Sequence, residues 1–313
     1  MRAAVIDLGS NSIRLLVADI SSKGEVIPVA RDLITTRLGR GVNQNNILDE
    51  KSISDTVSAL VNFRNKAKSL GSERIFAFGT SALREASNSS ALLEKAKEIG
   101  INVEILSGER EALLSFFGAR LGLKTIGVSL VIDIGGNSTE FVLGDDEKIE
   151  KAKSLPIGAV RWTQKYIKSD PPAFNEIAQA RKQIDLMIKD FADYFKKVKE
   201  SKEVTVIGVG GTLTTLAAVA QELEVYDSNK VHGYVLNKQT IDDIFLKLLF
   251  KTSEERLKVK GLMPQRADII TAGVLIAKSI MEDFNISQIT VSESDIMEAY
   301  LVENLELRTD SSV

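Results

Sequence analysis

Two short segments of the chain repeat the same set of potentially reactive side chains. VIDLGSNSIRLLV occupies residues 5–17 and VIDIGGNSTEFVL occupies residues 131–143, and six of the thirteen aligned positions are identical. Each copy places an aspartate, a glycine turn and hydroxyl side chains directly after an apolar run. Glycine allows successive backbone N–H groups to converge into a nest that suits phosphate oxygens. The aspartates, Asp7 and Asp133, end their strands, where a carboxylate can hold a hydrated Mg²⁺ that bridges phosphates.

One loop of this kind would be a weak signal, because Asp-Gly-Ser is also ordinary hairpin-turn chemistry. Two copies in matching context favour phosphate binding over a plain turn. The copies differ sharply at one aligned position, where the first has Arg14 and the second has Glu140. A duplicated loop that keeps its acid, glycine and serine but reverses a charge suggests two related functions.

A third glycine turn lies in GVGGTLTTLA at residues 208–217, between a predicted strand and a predicted helix. Thr212 is expected to cap that helix. The turn indicates either phosphate binding at a helix N-terminus or an ordinary strand-to-helix connection. It is not a Walker loop, because no Lys-Ser/Thr pair follows the glycines.

Two further segments carry charged candidates. TSALREASN at residues 80–88 puts Arg84 in the first turn of a predicted helix, where the helix dipole disfavours a cation unless an anion is bound; the alternative is a solvated helix arginine. SGEREALLSF begins another helix, with Ser107 as cap and Glu109 and Glu111 in its first turn. Acids are favoured there by the dipole alone, but one could also be a base that activates water. The spacing does not choose between them.

The composition describes an ordinary globular protein. The chain has 313 residues, enough for about two domains. Its 40 Lys and Arg against 43 Asp and Glu leave no basic excess for DNA binding. The absence of cysteine excludes disulfides and thiolate zinc sites and fits a reducing compartment. A single histidine, His232, excludes His-rich di-metal sites and is expected to be a structural hydrogen-bonder or a wall of the site.

The N-terminus lacks the apolar core of a signal peptide, and no apolar run reaches the ~20 residues that span a bilayer. We therefore expect a cytoplasmic protein without membrane partners.

Each half opens with a strand meander, followed by alternating strands and helices that imply a partly parallel sheet. The predicted domains are residues 1–124 and 125–313, with the final helix able to pack back on the first. Helices are expected at 49–71, 81–100, 107–123, 172–201, 212–223, 238–260 (two helices) and 264–284, with a final helix through about residue 306.

Eight blocks spread between residues 4 and 273 together resemble the exopolyphosphatase/guanosine pentaphosphatase (Ppx/GppA) family. So many blocks in order are much more specific than any one glycine loop. The blocks are AVIDLGSNSIRLLVADI, GTSALREASN, ILSGEREALLSFFGA, VIDIGGNSTEFVL, LPIGAVRW, VIGVGGTLTTLAAV, VHGYVL and GLMPQRADIITAG.

The resemblance implies an α/β fold with two RNase H-like domains of the actin, Hsp70 and sugar kinase superfamily, flanking an active-site cleft. It implies a Mg²⁺-dependent exopolyphosphatase that releases terminal orthophosphate from inorganic polyphosphate, with K⁺ as a candidate activator. A pppGpp 5′-phosphohydrolase producing ppGpp is the alternative substrate assignment. A homodimer is expected from the same resemblance.

The resemblance also implies roles for individual residues. Glu111, rather than Glu109, is the base for the attacking water. Asp133 and Glu140 are expected on the metal and water side, and Asp7 remains a metal candidate. The predicted phosphate-binding residues are Gly9, Ser10, Asn11, Ser12, Arg14, Arg84, Gly135, Gly136, Asn137, Ser138, Thr139, Gly210, Gly211 and Thr212.

The chain departs from the family pattern in three places. Asn137 stands where a third glycine is usual. VSESDIMEAYL replaces V-S-x-x-G-L-R-E-G, so Asp295 stands in place of the glycine and Met297 in place of the arginine. A single histidine cannot build the HD-like domain of larger members, which predicts a short two-domain member. A kinase or ATPase of the same superfamily, and a non-catalytic nucleotide or polyphosphate sensor, are the competing hypotheses.

Overall fold

The computed structural model describes residues 1–21, 25–123, 125–145 and 148–306. The predicted turns at SSKGE and GDDEK fall partly outside these ranges, and the predicted tail RTDSSV falls wholly outside them. The chain divides into two compact units, Met1–Leu114 with the stretch from Ile296 onward, and Ser115–Asp295. The prediction placed this boundary at residue 124; in the structure the division falls inside a continuous helix.

The helices and strands alternate along both units. The first part of the chain contains β1 (Arg2–Leu8), β2 (Ser12–Ile20), β3 (Val26–Thr35), α1 (Gly39–Asn45), α2 (Glu50–Ser69), β4 (Arg74–Gly79), α3 (Ser81–Glu85), α4 (Ser89–Glu98), β5 (Val103–Ile105) and α5 (Gly108–Leu123). The second part contains β6 (Ser129–Ile134), β7 (Thr139–Gly144), β8 (Ile149–Leu155), α6 (Ala159–Tyr166), α7 (Phe174–Ser201), β9 (Thr205–Val209), α8 (Gly210–Ala220), α9 (Ser228–Val231), β10 (Val235–Asn237), α10 (Lys238–Leu249), α11 (Ser253–Arg256), a 3₁₀ turn (Pro264–Arg266), α12 (Ile270–Asp283), β11 (Gln288–Val291) and α13 (Ile296–Glu306).

The first unit is built on one mixed sheet with the order β3-β2-β1-β4-β5. Strands β1, β2 and β3 are antiparallel, whereas β4 and β5 continue the sheet in parallel with β1. Strand β1 is covered on both faces, which explains its unbroken apolar sequence. Ala4 and Ile6 pack in the cluster that includes α2 and α4 residues, and Ala3 and Val5 pack in the cluster that includes α13.

The second unit repeats this order as β8-β7-β6-β9-β11 and adds β10 at the edge. Strands β6, β7 and β8 are antiparallel, and β9 pairs in parallel with β6 and with β11. Its core contains a cluster of aromatic side chains, in which the ring centroid of Phe141 lies 5.2 Å from those of Phe191 and Phe284. The two sheets therefore have the same strand order, which confirms the predicted duplication and the RNase H-like α/β fold class.

The predicted helix over residues 81–100 is wrong as a single element. The chain forms the short α3 and the separate α4, because Ala86 adopts an extended conformation. The Asn88 side chain then binds both the N–H and the carbonyl of Leu48, at 2.8 and 3.0 Å. Arg84 therefore lies in the last turn of α3, where a cation is favourable, so the dipole argument for an anion at Arg84 does not hold.

Other local expectations were confirmed or extended. Helix α2 ends before Gly71, whose φ of +79° is the left-handed stop that the sequence predicted. Ser107 caps α5, because its hydroxyl accepts the Arg110 N–H at 3.2 Å. The helix predicted over residues 264–284 begins as a 3₁₀ turn and becomes α-helical at Ile270. Helix α6 was not predicted.

Met297, which replaces an arginine of the family pattern, is 3% exposed and lies in the apolar cluster that includes β1 and α13 residues. The methionine that replaces the arginine therefore contributes to the apolar core of the first unit. Asp295 is also buried, and its carbonyl lies 1.7 Å from where a Cβ on Gly118 would be. Gly118 thus permits a close approach of the α5 backbone to that segment.

Among the described helices, none is both long and apolar enough to cross a membrane.

Glu282 on α12 sits in a network of ion pairs on the second unit. It accepts hydrogen bonds from Arg181 and Lys278. Partial burial raises its pKa, but these two cations outweigh that effect and hold the pKa of Glu282 at about 2, compared with 4.5 for an ordinary glutamate. A pKa lowered in the folded state contributes stability that is present above pH 4.5 and is lost as pH falls towards 2.

We therefore expect Glu282→Gln to lower the free energy of unfolding at pH 7, with the difference from wild type disappearing near pH 2 to 3. Urea unfolding across this pH range measures the effect. Glu200→Gln, an exposed acid on α7, is the control and should show little difference at any pH. An equal loss at pH 7 and pH 3 would contradict the electrostatic explanation.

Candidate functional site

In the first hairpin, Asp7 and Arg14 face each other across the β1–β2 ladder. Arg14 donates from Nε and Nη2 to Asp7 Oδ2, at 2.8 and 2.5 Å. Asp7 is 5% exposed, and about a quarter of the Arg14 side chain is exposed. The arginine therefore compensates a buried carboxylate in its own hairpin. The assignments of Arg14 to phosphate and of Asp7 to metal stay predictions.

The first glycine turn is closed by a hydrogen bond from the Gly9 N–H to the Ser12 carbonyl, at 3.2 Å. A Cβ on Gly9 would lie 2.9 Å from that oxygen, so a larger residue would strain the turn. The Ser10 hydroxyl lies 3.1 Å from that of Ser81, and the Ser12 hydroxyl lies 3.3 Å from that of Thr35. These contacts hold the turn against α3 and β3.

Glu111 and Arg84 form the second charged pair of the first unit. Arg84 Nη1 donates to Glu111 Oε2 at 2.9 Å and to the Leu106 carbonyl at 2.8 Å. Glu111 is 7% exposed, whereas Glu109 points to solvent from the same turn of α5. The structure thus places Glu111, rather than Glu109, beside the predicted phosphate ligand. Because Arg84 is a predicted phosphate ligand, Glu111 lies where a general base must be, within reach of a water that attacks the bound phosphate.

The second glycine turn reproduces the first, with a 3.0 Å hydrogen bond from the Gly135 N–H to the Ser138 carbonyl. Its other carbonyls face α6: Gly135 O accepts the Ala159 N–H and Gly136 O accepts the Val160 N–H. Because N–H and C=O point in opposite directions across a trans peptide, these bonds turn the N–H groups of the loop away from α6. That orientation is the nest expected of a phosphate loop.

Asp133 and Glu140 face each other across the β6–β7 ladder, at the positions that Asp7 and Arg14 occupy in the first unit. The Ser115 hydroxyl donates to Asp133 at 3.2 Å, and the Ser154 hydroxyl donates to Glu140 at 2.6 Å. Like charges directly opposite each other are unfavourable in a sheet, and a bound cation would relieve this repulsion.

The residues described in the structure contain no group of three or more Asp, Glu or His side chains able to hold a metal ion. Mg²⁺ is commonly bound through one or two carboxylates, with substrate phosphates and water completing its shell. The facing pair Asp133 and Glu140 fits that kind of site.

The third glycine turn lies against Asp133. A Cβ on Gly210, where φ is +83°, would lie 2.2 Å from Asp133 Oδ1, and one on Gly211 would lie 1.8 Å from Arg266 Nη2. Arg266 thus covers the N-terminus of α8. It was not among the predicted site residues, and its position near a helix start in GLMPQRADIITAG is the signal that was available. The prediction that Thr212 caps α8 is wrong, because the helix already begins at Gly210 and Thr212 is buried inside it.

His232 has a hydrogen-bonding role within the second unit. Its Nδ1 accepts the Glu293 N–H at 3.2 Å, so the neutral ring carries its proton on Nε2, which lies 3.1 Å from the Gly122 carbonyl. Both ring nitrogens contact backbone groups. This geometry favours the structural interpretation of the histidine over a place in the wall of the site.

The two sheets have the same strand order, and each opens with an aspartate and glycine hairpin, so the chain is an α/β protein with a duplicated RNase H-like unit. Among proteins of this fold class, it belongs to the Ppx/GppA phosphatase family, whose model matches residues 16–307. The structure of the Aquifex aeolicus member of that family superimposes with a TM-score of 0.80 at 33% identity, over 98% of each chain.

Curated relatives differ in length and in what their names describe. Exopolyphosphatase 2 of Mycobacterium tuberculosis is 33% identical over 95% of this chain and 96% of its own length. A guanosine-5′-triphosphate,3′-diphosphate pyrophosphatase of Aliivibrio fischeri is 31% identical over 94% of this chain. A bifunctional 3-dehydroquinate synthase/phosphatase of Fusobacterium nucleatum is 35% identical over 97% of this chain. The chain spans about half the length of these last two proteins, 57% and 46% respectively.

Proposed function

We propose that this protein is a Mg²⁺-dependent exopolyphosphatase, which hydrolyses the terminal phosphoanhydride bond of inorganic polyphosphate and releases orthophosphate. The observation that carries the proposal is the buried Glu111 held by Arg84, in a chain that also forms two glycine loops suited to phosphate. The name of the Mycobacterium tuberculosis relative supports polyphosphate as the substrate. The Aliivibrio fischeri relative supports the alternative, pppGpp, whose terminal 5′-phosphate is joined by the same type of bond.

The reaction requires a base for water and positive groups around the phosphoryl group that is transferred. Glu111 takes a proton from water as the water oxygen bonds to the terminal phosphorus. The bridging oxygen leaves with the shortened chain. Arg84 and Arg14 bind phosphate oxygens in the first unit, and the loop N–H groups do so in both units. Such preorganised donors stabilise the charge that spreads over the phosphoryl oxygens.

Asp133 and Glu140 would hold Mg²⁺ in the second unit. When bound, the ion neutralises phosphate charge and polarises the phosphoryl oxygens. Activation by K⁺, a homodimer and a cytoplasmic location belong to the same proposal.

Phosphate release from tripolyphosphate, long-chain polyphosphate, pppGpp and ATP, with Mg²⁺ or with EDTA, tests this function. We expect orthophosphate from at least one polyphosphate, and a loss of activity in EDTA. Release from pppGpp alone would establish the alternative substrate. Thermal stabilisation by tripolyphosphate without any release would favour a sensor, and phosphate transfer from ATP to an added acceptor would favour a kinase.

A further inference from the structure

The two carboxylates that face each other in the second hairpin belong to a row of side chains that crosses three strands. Asp133 on β6 lies opposite Glu140 on β7, and Glu140 lies opposite Ser154 on β8. The Ser154 hydroxyl donates to Glu140 Oε1 at 2.6 Å. Because Glu140 is 2% exposed, this hydrogen bond meets part of the need of a buried carboxylate for donors.

The corresponding row of the first unit ends in an apolar side chain. Asp7 lies opposite Arg14, which donates to it, and Arg14 lies opposite Leu33. The second unit has Glu140 in place of the arginine and Ser154 in place of the leucine. The two differences belong together, because a carboxylate needs a donor and the serine supplies one from the neighbouring strand.

Packing of the sheet does not explain the serine. Successive side chains of a strand point to opposite faces of the sheet. Lys151 on β8 lies 4.0 Å from the ring centroid of Tyr194 on α7, and Leu155 lies in the main apolar cluster of the second unit. Ser154 therefore lies on the other face of β8, the face that does not pack against α7, and there it contacts Glu140.

A hydroxyl holds a carboxylate without neutralising it. Serine contributes one O–H donor and no charge, so Ser154 orients Glu140 without cancelling its negative charge, whereas the guanidinium of the first row cancels the charge of its aspartate. Ser115 donates to Asp133 at 3.2 Å in the same way. Carboxylates that bind metal ions are commonly hydrogen-bonded by such outer side chains, which fix the orientation of the ligand.

We infer that Ser154 is a positioning residue of the metal site, which fixes the orientation of the Glu140 carboxylate and thereby raises the affinity for Mg²⁺. The inference rests on the proposed function, because Asp133 and Glu140 are the Mg²⁺ ligands proposed there. A carboxylate has about four lone-pair sites, so a hydrogen bond from Ser154 is compatible with a metal ion at the same group. The serine acts through Glu140 and does not itself contact the substrate.

Direct metal binding separates this role from a purely structural one. Binding of Mn²⁺, a paramagnetic substitute for Mg²⁺, is measured by electron paramagnetic resonance without substrate, for wild type, Ser154→Ala and Ser154→Thr. Ser253→Ala is the matched control, because it removes a hydroxyl that donates at the same distance, 2.6 Å, to the partly exposed carboxylate of Asp170. The Mg²⁺ dependence of phosphate release and the melting temperature are measured on the same proteins.

We expect Ser154→Ala to weaken Mn²⁺ binding, and to raise the Mg²⁺ concentration for half-maximal turnover, by about 10-fold or more, the usual effect of removing an outer partner of a metal ligand. The kcat at saturating Mg²⁺ should change less. Ser154→Thr keeps the hydroxyl and should recover most of the affinity, and Ser253→Ala should match wild type. The inference is overturned if Ser154→Ala lowers only the melting temperature and keeps the wild-type Mn²⁺ affinity, or if Ser154→Thr loses as much affinity as Ser154→Ala.

A double substitution tests whether Ser154 acts through Glu140. Glu140→Gln removes the charge of the ligand and should itself weaken Mn²⁺ binding. Adding Ser154→Ala to Glu140→Gln should cause little further loss, because interacting residues have non-additive effects. The same loss from Ser154→Ala in both backgrounds would show that the serine affects the metal by another route, and would overturn the inference.

The two proposals fail in different ways. If wild-type protein hydrolyses polyphosphate and Ser154→Ala keeps the wild-type Mn²⁺ affinity, only the assignment of Ser154 fails. If wild-type protein binds Mn²⁺ and Ser154→Ala weakens this binding, but no phosphate is released, the proposed activity fails and the assignment of Ser154 stands. If wild-type protein binds no Mn²⁺, the assignment of Ser154 fails together with that of its metal ligands, whatever the activity.

Discussion

Glu111→Gln is expected to abolish phosphate release from polyphosphate while the protein stays folded. The amide has the shape of the carboxylate and can still accept a hydrogen bond from Arg84, but it cannot take a proton from water. A positioned general base typically contributes about 10²–10⁴-fold to a rate, so kcat should fall by at least two orders of magnitude. Phosphate release at saturating substrate measures this, and circular dichroism with thermal unfolding reports on the fold.

Glu109→Gln is the matched control for this prediction. It makes the same chemical change in the same first turn of α5, at a side chain that is exposed. We expect nearly wild-type turnover from this variant. If Glu111→Gln kept its activity, or if Glu109→Gln lost activity instead, the assignment of the base would be wrong, although the fold and the family would stand.

Arg14→Glu is expected to destabilise the first unit as well as to stop turnover. Asp7 is buried and accepts two hydrogen bonds from Arg14, so the substituted carboxylate would face it as a like charge. Breaking a buried ion pair costs about 3 kcal/mol or more. Urea unfolding measures this cost, and phosphate release measures the loss of the predicted phosphate ligand.

The same hairpin offers a control for this change. Arg2 pairs with Asp19 across the same two strands, but the side chains are about one third and nearly one half exposed. Exposed ion pairs contribute little to stability, so Arg2→Glu should have a smaller effect on unfolding and should leave activity near wild type. A larger loss of stability for Arg2→Glu would show that burial does not govern this hairpin.

Exchange of the two aligned residues, Arg14→Glu together with Glu140→Arg, addresses the charge reversal directly. From the sequence alone, both hairpins should survive the exchange and turnover should be lost. The structure changes the first expectation, because each residue faces an aspartate across its ladder. The exchange would put two carboxylates together in the first unit and an ion pair in the second. Full activity in the exchanged protein would disprove the division of anion and cation binding between the loops.

Much of the fold could be predicted because its signals are local. Apolar runs that end in glycine turns marked β1 and β6, and Gly71 marked the end of α2. The repeated hairpin predicted two similar units, and the strand order of both sheets confirmed them. These features depend on residues a few positions apart, so that backbone sterics and hydrophobic periodicity determine them.

The helix boundary that failed is one that a distant contact decides. The break between α3 and α4 goes with the hydrogen bonds of Asn88 to Leu48, some forty residues away. No local pattern in SALREASNSSALLEKAKEIG indicates that contact.

The sequence by itself determined which chemistry was available: two phosphate loops, two candidate bases and the reversed charge at Arg14 and Glu140. Only the tertiary structure decided how these groups combine. It buried Glu111 beside Arg84, left Glu109 in solvent, and placed the Ser154 hydroxyl against Glu140. The reason is physical: charge pairing and burial depend on distances in space, which the order of strands in the sheet and the packing of helices determine.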